Sequence, residues 1–454
     1  MLTLEEQRRR IENIKYADEN VKKCTRRERI ENYLPGQVTY HLGDYPAKFS
    51  CRPTEYDYNL IKNFAEKGVG LIQTHMDTSD YLRLYGGHKF DVVDPEGMKE
   101  FIKLCHEFGI KVISYVSSGF FDERDPDFTP EFDRVGQNLN GEDYKFRLCS
   151  LESPQWCSYV IDKTEAFLDK YEFDGLYNDA GHDLCDIPTY VKAQNEGTGM
   201  PTLPYDPCTE DMLARLYHMV KRRGGIMKHH YLMSLRPNVK EKVYDYLWVG
   251  EAIQKPEELK ATAAYDPYIV PCPDMNWSEP WEYEKYFALF LPLMQYPLRI
   301  DGRPLTNAGL NVPGVEYFER KRDFQWKKRV TGDVKKKYIE DHPNGPYIYG
   351  QWSGIPDNED YRERWFYYLD FYKKMVKDDT LCHIDIKERT IFEENVSDDV
   401  TMSLFTGVDQ YLCISTIGDD CNLTLKEKWI DIETNEAMTN LKLTKNRVRF
   451  LKRA

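Results

Sequence analysis

The sequence predicts a (β/α)8 (TIM) barrel followed by a small C-terminal antiparallel β-sandwich, and two patterns carry this prediction. From about residue 57, short apolar runs alternate with amphipathic helical segments, which is typical of parallel strands in βα units. After a helical segment at 361–377 the period changes to two, as in residues 401–405 and 410–415. We therefore predict a barrel over residues 1–378, with an N-terminal helical extension, and a sandwich over 379–454.

Seven barrel strands can be assigned from the apolar runs, and the eighth has two candidate positions. The predicted strands are residues 69–75, 111–116, 145–150, 173–179, 230–235, 246–251 and 268–274. The eighth lies near residues 293–299 or near 347–351. A doubly wound open sheet is the rival fold, but nucleotide-binding sheets of that kind carry a Gly-rich turn after the first strand. The sequence has neither GxGxxG nor a P-loop, so we expect no NAD, FAD or ATP as cofactor.

Composition and charge exclude several classes of partner. The net charge is −14, which argues against nucleic acid and anionic lipid, because both need a positive protein surface. The first residues show no signal peptide, and no apolar run is long enough to span a membrane. Eleven cysteines without a CxxC pair indicate reduced thiols. We expect a cytoplasmic protein with no nucleic-acid or membrane partner; homo-oligomerisation stays open.

Three carboxylates follow buried runs at predicted strand ends. Active sites of such barrels lie at the C-terminal ends of the strands. Asp179, Glu251 and Asp274 end the fourth, sixth and seventh predicted strands. Hydrolysis of a glycosidic bond needs two carboxyl groups, one as nucleophile or base and one as acid. Each residue also has a structural interpretation: Asp179 as a cap, Glu251 as a favourable charge at a helix start, and Asp274 as a turn former.

Five side chains, one of them Asp274, are candidates for binding a sugar. They end predicted strands or lie on predicted loops, and they are His75, Tyr115, Arg236, Asp274 and Trp277. The aromatic content of 14% suits stacking on sugar faces, but a large Tyr-rich barrel core would give the same figure.

The sequence gives no strong metal signal. Asp179, His182 and Asp183 are spaced like metal ligands, but one loop rarely completes a site. The pair His229-His230 points to opposite faces of a strand and cannot chelate one ion. We predict no metal.

One motif resembles a known group of enzymes. Residues 171–179, Tyr-Glu-Phe-Asp-Gly-Leu-Tyr-Asn-Asp, are similar to the fourth strand of retaining α-glycosidase barrels, namely the α-galactosidase clan and the α-L-fucosidases. The resemblance implies that Asp179 is the nucleophile and that Glu251, after the sixth strand, is the acid/base. That clan more often has Asp at the second position. Asp174, before the tight Gly175, is expected to contact a neighbouring backbone.

The expected function is therefore hydrolysis of an α-glycosidic bond with retention, acting on a carbohydrate. Two alternatives remain open from the residues alone. One is a metal-assisted lyase or isomerase that acts on a sugar acid, and the other is a barrel that binds carbohydrate without catalysis.

Overall fold

A computed structural model describes most of the chain. The described residues are 2–42, 50–75, 78, 90–92, 94–123, 125–140, 145–179, 203–231, 234–251, 256–272, 283–303 and 359–454. The α-helices in these ranges are α1 (Leu4–Asn20), α2 (Glu55–Lys67), α3 (Pro95–Glu107), α4 (Pro154–Lys170), α5 (Pro207–Arg222), α6 (Tyr283–Phe290) and α7 (Glu359–Met375). Short 3-10 helices are Pro130–Phe132, Pro256–Ala264 and Leu291–Leu293. None of the described helices is long and apolar enough to cross a membrane.

The described β-strands fall into three sheets. In chain order they are β1 (Cys24–Arg29), β2 (Gln37–His41), β3 (Leu71–Thr74), β4 (Lys111–Val116), β5 (Phe120–Asp122), β6 (Asp133–Asn140), β7 (Lys145–Cys149), β8 (Gly175–Asp179), β9 (Ile226–His230), β10 (Tyr246–Val249), β11 (Tyr268–Pro271), β12 (Arg299–Gly302), β13 (Leu381–Ile386), β14 (Val400–Thr406), β15 (Gln410–Thr416), β16 (Cys421–Asp431), β17 (Ala437–Leu443) and β18 (Val448–Arg453).

Eight strands form the barrel. Their order is β11-β10-β9-β8-β4-β3-β2-β12, and the registered pairs from β10 round to β12 are parallel. Leu298 N donates to the carbonyl of Pro271 at 2.7 Å, which links the two ends of this order. The predicted (β/α)8 barrel with a C-terminal antiparallel β domain is confirmed.

Several predicted strands need correction. The first barrel strand is β2, which the sequence did not reveal because its alternate residues are polar. The predicted third strand, at 145–150, is β7 of a separate three-stranded antiparallel sheet, β5-β7-β6. The predicted fifth strand was placed too late, since β9 ends at His230 where 230–235 was expected to begin. The eighth strand, β12, begins where the earlier of the two candidate positions ends.

The barrel helices begin with a repeated local signal. A side-chain acceptor stands before proline at the starts of α3, α4 and α5, namely Asp94-Pro95, Ser153-Pro154 and Asp206-Pro207. Each acceptor takes a hydrogen bond from a free backbone N–H of the first turn, while proline has no N–H to lose there. This pairing fixes where each of these helices follows its strand.

Internal contacts divide the chain into two compact units. The first contains Met1–Gly36, Val249–Leu298 and Asp360–Ala454, and the second contains Gln37–Trp248 and Arg299–Glu359. The predicted domain boundary between residues 378 and 379 stays a prediction.

The first unit contains the seven-stranded antiparallel sheet, ordered β1-β13-β14-β15-β18-β16-β17. The N-terminal segment is part of this sheet, because β1 pairs with β13. Tyr16 and Ala17 of α1 are buried in the same apolar cluster as residues of the sheet, and the Tyr16 ring meets Trp429 edge-on at 6.2 Å.

The second unit is braced by a buried ion pair. Arg303, just after β12, donates to both carboxylate oxygens of Asp57 on α2, and Tyr40 of β2 donates to Asp57 at 2.6 Å. Burial alone would raise the pKa of Asp57, but these hydrogen bonds and the guanidinium charge hold it below its usual value. The network ties the helix layer to two barrel strands.

Candidate active site

The site is built on the alternation of side chains along β8. Successive residues of a strand point to opposite faces, so Asp179 points into the barrel and Asn178 points out toward the helices. The contacts agree: the Asp179 carboxylate meets residues of β4 and β9 inside, whereas Asn178 meets Ser118 and His229 outside. Asp179 therefore contacts the barrel interior, while the neighbouring Asn178 bonds the strand to the outer layer.

The Asp179 carboxylate is buried and held by both oxygens. The Tyr115 hydroxyl donates to Oδ2 at 3.1 Å, and Nδ1 of His230 lies 3.1 Å from Oδ1. The hydroxyl of Ser117 also donates to the backbone carbonyl of Asp179 at 2.9 Å. Asp179 is 6% exposed and lies at the carboxyl end of the fourth barrel strand, where catalytic groups of such barrels occur.

Aromatic and imidazole rings line the barrel interior near this carboxylate, and we call them the ring floor. The ring floor consists of His41 at the end of β2, His75 one residue past β3, Tyr115 of β4, Tyr177 of β8, His230 of β9 and Trp248 of β10. Ring centroids are 4.2 Å apart for His230 and Trp248, 5.1 Å for Tyr177 and Trp248, 5.3 Å for His75 and Tyr115, and 5.6 Å for His41 and His75. The faces of such flat, rigid side chains can stack on a ring-shaped ligand, and their polar atoms can hydrogen-bond to its hydroxyl groups.

A buried lysine is the strand neighbour of one of these rings. Lys228 precedes His230 by two residues on β9, so both point into the barrel, and it pairs in register with Tyr177. Its ammonium group donates to Oε1 of Gln73 on β3 at 2.8 Å, and both side chains are fully buried. A buried charge requires hydrogen-bonded partners, and this bond joins strands on different sides of the barrel.

The outer face of β8 locks the strand in place. Asn178 accepts from the backbone N–H of Ser118 at 3.0 Å, and its amide contacts Nδ1 of His229 at 3.3 Å. Trp156 of α4 donates to the carbonyl of Ser118 at 2.9 Å. Burial lowers the pKa of His229 to about 4, so this histidine is neutral in the folded protein near neutral pH.

The start of β8 is also constrained. Gly175 has φ of +145°, and a Cβ there would come within 1.9 Å of the Ile226 carbonyl, so only glycine fits. Asp174 accepts from the backbone N–H of Val112 at 2.8 Å and meets Nε2 of His106 at 2.8 Å. The expected backbone contact of Asp174 is present.

The structure brings together three of the predicted site residues, Asp179, Tyr115 and His75. Tyr115 binds Asp179 directly, and the His75 ring packs on Tyr115. Glu251 is half-buried and lies two residues past the end of β10. Arg236 is exposed and lies six residues past the end of β9.

Asp274 and Trp277 lie outside the described residues, as do His182 and Asp183 of the metal-like spacing. Within the described ranges, no three His, Cys, Asp or Glu side chains group closely enough to hold a metal ion.

Sequence reasoning missed His230, Trp248 and Tyr177 as site residues. His230 was placed at the start of a strand instead of its end, so it was assigned to the wrong end of the barrel. A strand placed at 226–230 would have put His230 beside Asp179 by the period-two rule.

Comparison with solved structures supports the barrel fold. An α-amylase from Anoxybacillus has a TM-score of 0.55 at 8% identity, over 93% of this chain and 99% of that one. The trehalose-6-phosphate hydrolase of Bacillus licheniformis has a TM-score of 0.53 at 10% identity, over 93% and 100%. The trehalulose synthase of Pseudomonas mesoacidophila has a TM-score of 0.52 at 11% identity, over 93% and 99%.

At these identities the likeness shows the fold of the chain and not its activity. These neighbours do not support the narrower resemblance to α-galactosidases and α-L-fucosidases. No protein-family model matches the chain, and no curated protein matches it in sequence.

The buried His229 predicts a pH dependence of stability. Its pKa is about 4 in the folded protein and 6.5 when unfolded. Between these two pH values the unfolded chain, but not the folded protein, binds a proton at this histidine. Its contribution of about 3 kcal/mol is therefore present above pH 6.5 and lost as the pH falls toward 4. Denaturant titrations from pH 7 to pH 4.5 should show a smaller loss of stability for His229→Gln than for the wild type.

His218→Gln, the same replacement at an exposed position, is the control for the substitution itself. Part of the loss persists in His229→Gln, because burial also lowers the pKa of His383 to about 4. Equal slopes for the wild type and His229→Gln would contradict the assignment.

Proposed function

We propose that the protein is a retaining glycosidase that cleaves an α-linked carbohydrate, with Asp179 as its nucleophile. The observation that carries the proposal is the buried carboxylate of Asp179 at the carboxyl end of the fourth barrel strand, with a hydrogen-bonding partner on each oxygen. Glycoside hydrolysis needs a carboxylate in a fixed orientation beside the sugar. The fold neighbours, described as an α-amylase and a trehalose-6-phosphate hydrolase, are consistent with the same reaction class.

The reaction would proceed in two steps. An Asp179 oxygen attacks the anomeric carbon while Glu251, in its acid form, gives a proton to the leaving oxygen, which forms a glycosyl-enzyme. Water then loses a proton to the Glu251 carboxylate and displaces Asp179, so the anomeric configuration of the substrate is restored. Glu251 takes this role because it follows the sixth barrel strand, at the same end of the strands as Asp179.

The remaining predicted residues would bind the sugar. His75 offers an imidazole from the ring floor, and Tyr115 both orients Asp179 and faces the ligand. Arg236, Asp274 and Trp277 would contribute from segments that follow strands. With a net charge of −14, we also propose a cytoplasmic enzyme without nucleic-acid or membrane partners.

Replacing Asp179 tests the nucleophile. Asp179→Ala should lower kcat/KM on the best 4-nitrophenyl α-glycoside by on the order of 10³ or more, since covalent catalysis is lost. Sodium azide should restore activity to Asp179→Ala by entering the vacated space, and NMR should find a glycosyl azide of inverted configuration. Wild-type product, observed before mutarotation, should keep the α configuration.

Asp174→Asn is the matched control, because Asp174 leads into the same strand and contacts only structural groups in the bonds described above. It should lower the unfolding temperature and leave kcat of the folded enzyme within about twofold. Full activity of Asp179→Ala, or an inverted wild-type product, would rule out the proposal. An unsaturated sugar product would favour the lyase, and binding without turnover would favour the non-catalytic barrel.

Leaving-group dependence tests Glu251. Glu251→Ala should lose on the order of 10³ in kcat/KM on an unactivated glycoside, which needs a proton on its leaving oxygen. On a 2,4-dinitrophenyl glycoside, whose leaving group needs none, the loss should stay within about tenfold. Glu257→Gln is the control, since Glu257 pairs with Lys285 at 2.7 Å and should show neither effect. Equal losses on both substrates would remove Glu251 from the acid role.

A further inference from the structure

We propose that His230 is a positioning residue, which fixes the orientation of the Asp179 carboxylate for attack. The inference rests on the proposed function and names a residue that the sequence motif does not contain. Its basis is the registered pairing of β8 with β9, which sets Asp179 directly beside His230 on the inner face of the barrel.

The contact between the two side chains is close and buried. Nδ1 of His230 lies 3.1 Å from Oδ1 of Asp179, and the two side chains are only 3% and 9% exposed. A hydrogen bond to a carboxylate is about twice as strong as one between neutral groups, and it gains further where water is absent. The ring nitrogen next to the point of attachment, Nδ1, is the one that faces Asp179.

The imidazole is itself held by neighbouring rings. Trp248 is the register partner of His230 on β10, and the two rings lie 4.2 Å apart at an angle of 32°. Tyr177 packs against both, at 6.2 Å from His230 and 5.1 Å from Trp248. The orientation of His230 is thus set by two aromatic side chains from the strands on either side of it.

Tyr115 and His230 bond to different oxygens of the Asp179 carboxylate. Tyr115 holds Oδ2 and His230 holds Oδ1, so rotation of the carboxylate about its Cβ–Cγ bond requires breaking both bonds. Without His230 the bond to Oδ1 is lost, and the carboxylate spends less time in the aligned orientation that attack requires. The expected effect is therefore on kcat, with KM nearly unchanged.

Two replacements separate the hydrogen bond from packing. His230→Leu fills the space without a donor and should lower kcat about 10-fold to 100-fold, which corresponds to a hydrogen bond to a charged group. His230→Asn places an amide nitrogen near the position of Nδ1 and should recover kcat to within about fivefold of the wild type. Equal loss in both variants, with unchanged unfolding temperatures, would overturn the proposal.

A double-mutant cycle then asks whether His230 acts through Asp179. In Asp179→Ala with azide, the carboxylate is gone, so adding His230→Leu should change the azide rate by less than about twofold. If His230→Leu slows the azide reaction as much as it slows the wild type, His230 acts on the substrate and the proposal is wrong. Failure of the proposed function is distinct, because Asp179→Ala would then give no glycosyl azide whether or not His230 is present.

Discussion

The register between β8 and β9 is the constraint on which the candidate site depends. It pairs Asp179 with His230 inside the barrel and Asn178 with His229 outside it. A slip of one residue would turn every side chain of the strand to the other face and break both pairs. The outer pair is neutral and buried, and it holds the strand against the Ser118 turn and Trp156 of α4. The inner pair is polar, and it is the pair on which the proposed mechanism depends.

The barrel interior around this pair is unusually polar for a packed core. Branched apolar side chains commonly fill such barrels, but here rings and a buried ammonium group stand in those positions. Lys228 and Gln73 bond across the barrel, and the contacts of Asp179 with Tyr115 and His230 hold its carboxyl group in one orientation near the strand ends. Polar atoms in low dielectric interact strongly, so this arrangement orients its members at a cost in stability.

The sequence predicted the barrel, the C-terminal antiparallel sheet and the position of Asp179, because each leaves a local pattern. A few neighbouring residues suffice to recognise an apolar run, a helix cap followed by proline, or the Asp-Gly pair at the start of β8. Sequence reasoning missed β2 and misplaced β9, because most of the inward side chains of these strands are polar and hydrophobicity does not mark them. It could not give His230 a role, because the contact with Asp179 depends on strand pairing across 51 residues of chain. The boundary of the C-terminal domain and the roles of Glu251, Arg236, Asp274 and Trp277 stay predictions.

The most direct test of the central claim is to trap the glycosyl-enzyme. The enzyme would be incubated with a fluorinated glycosyl fluoride of the sugar it accepts, digested with trypsin and sequenced by mass spectrometry. We expect one sugar ester, located on Asp179 within the tryptic peptide 171–192. An ester on another carboxylate would contradict it, and so would turnover of the reagent with an inverted product and no labelled peptide.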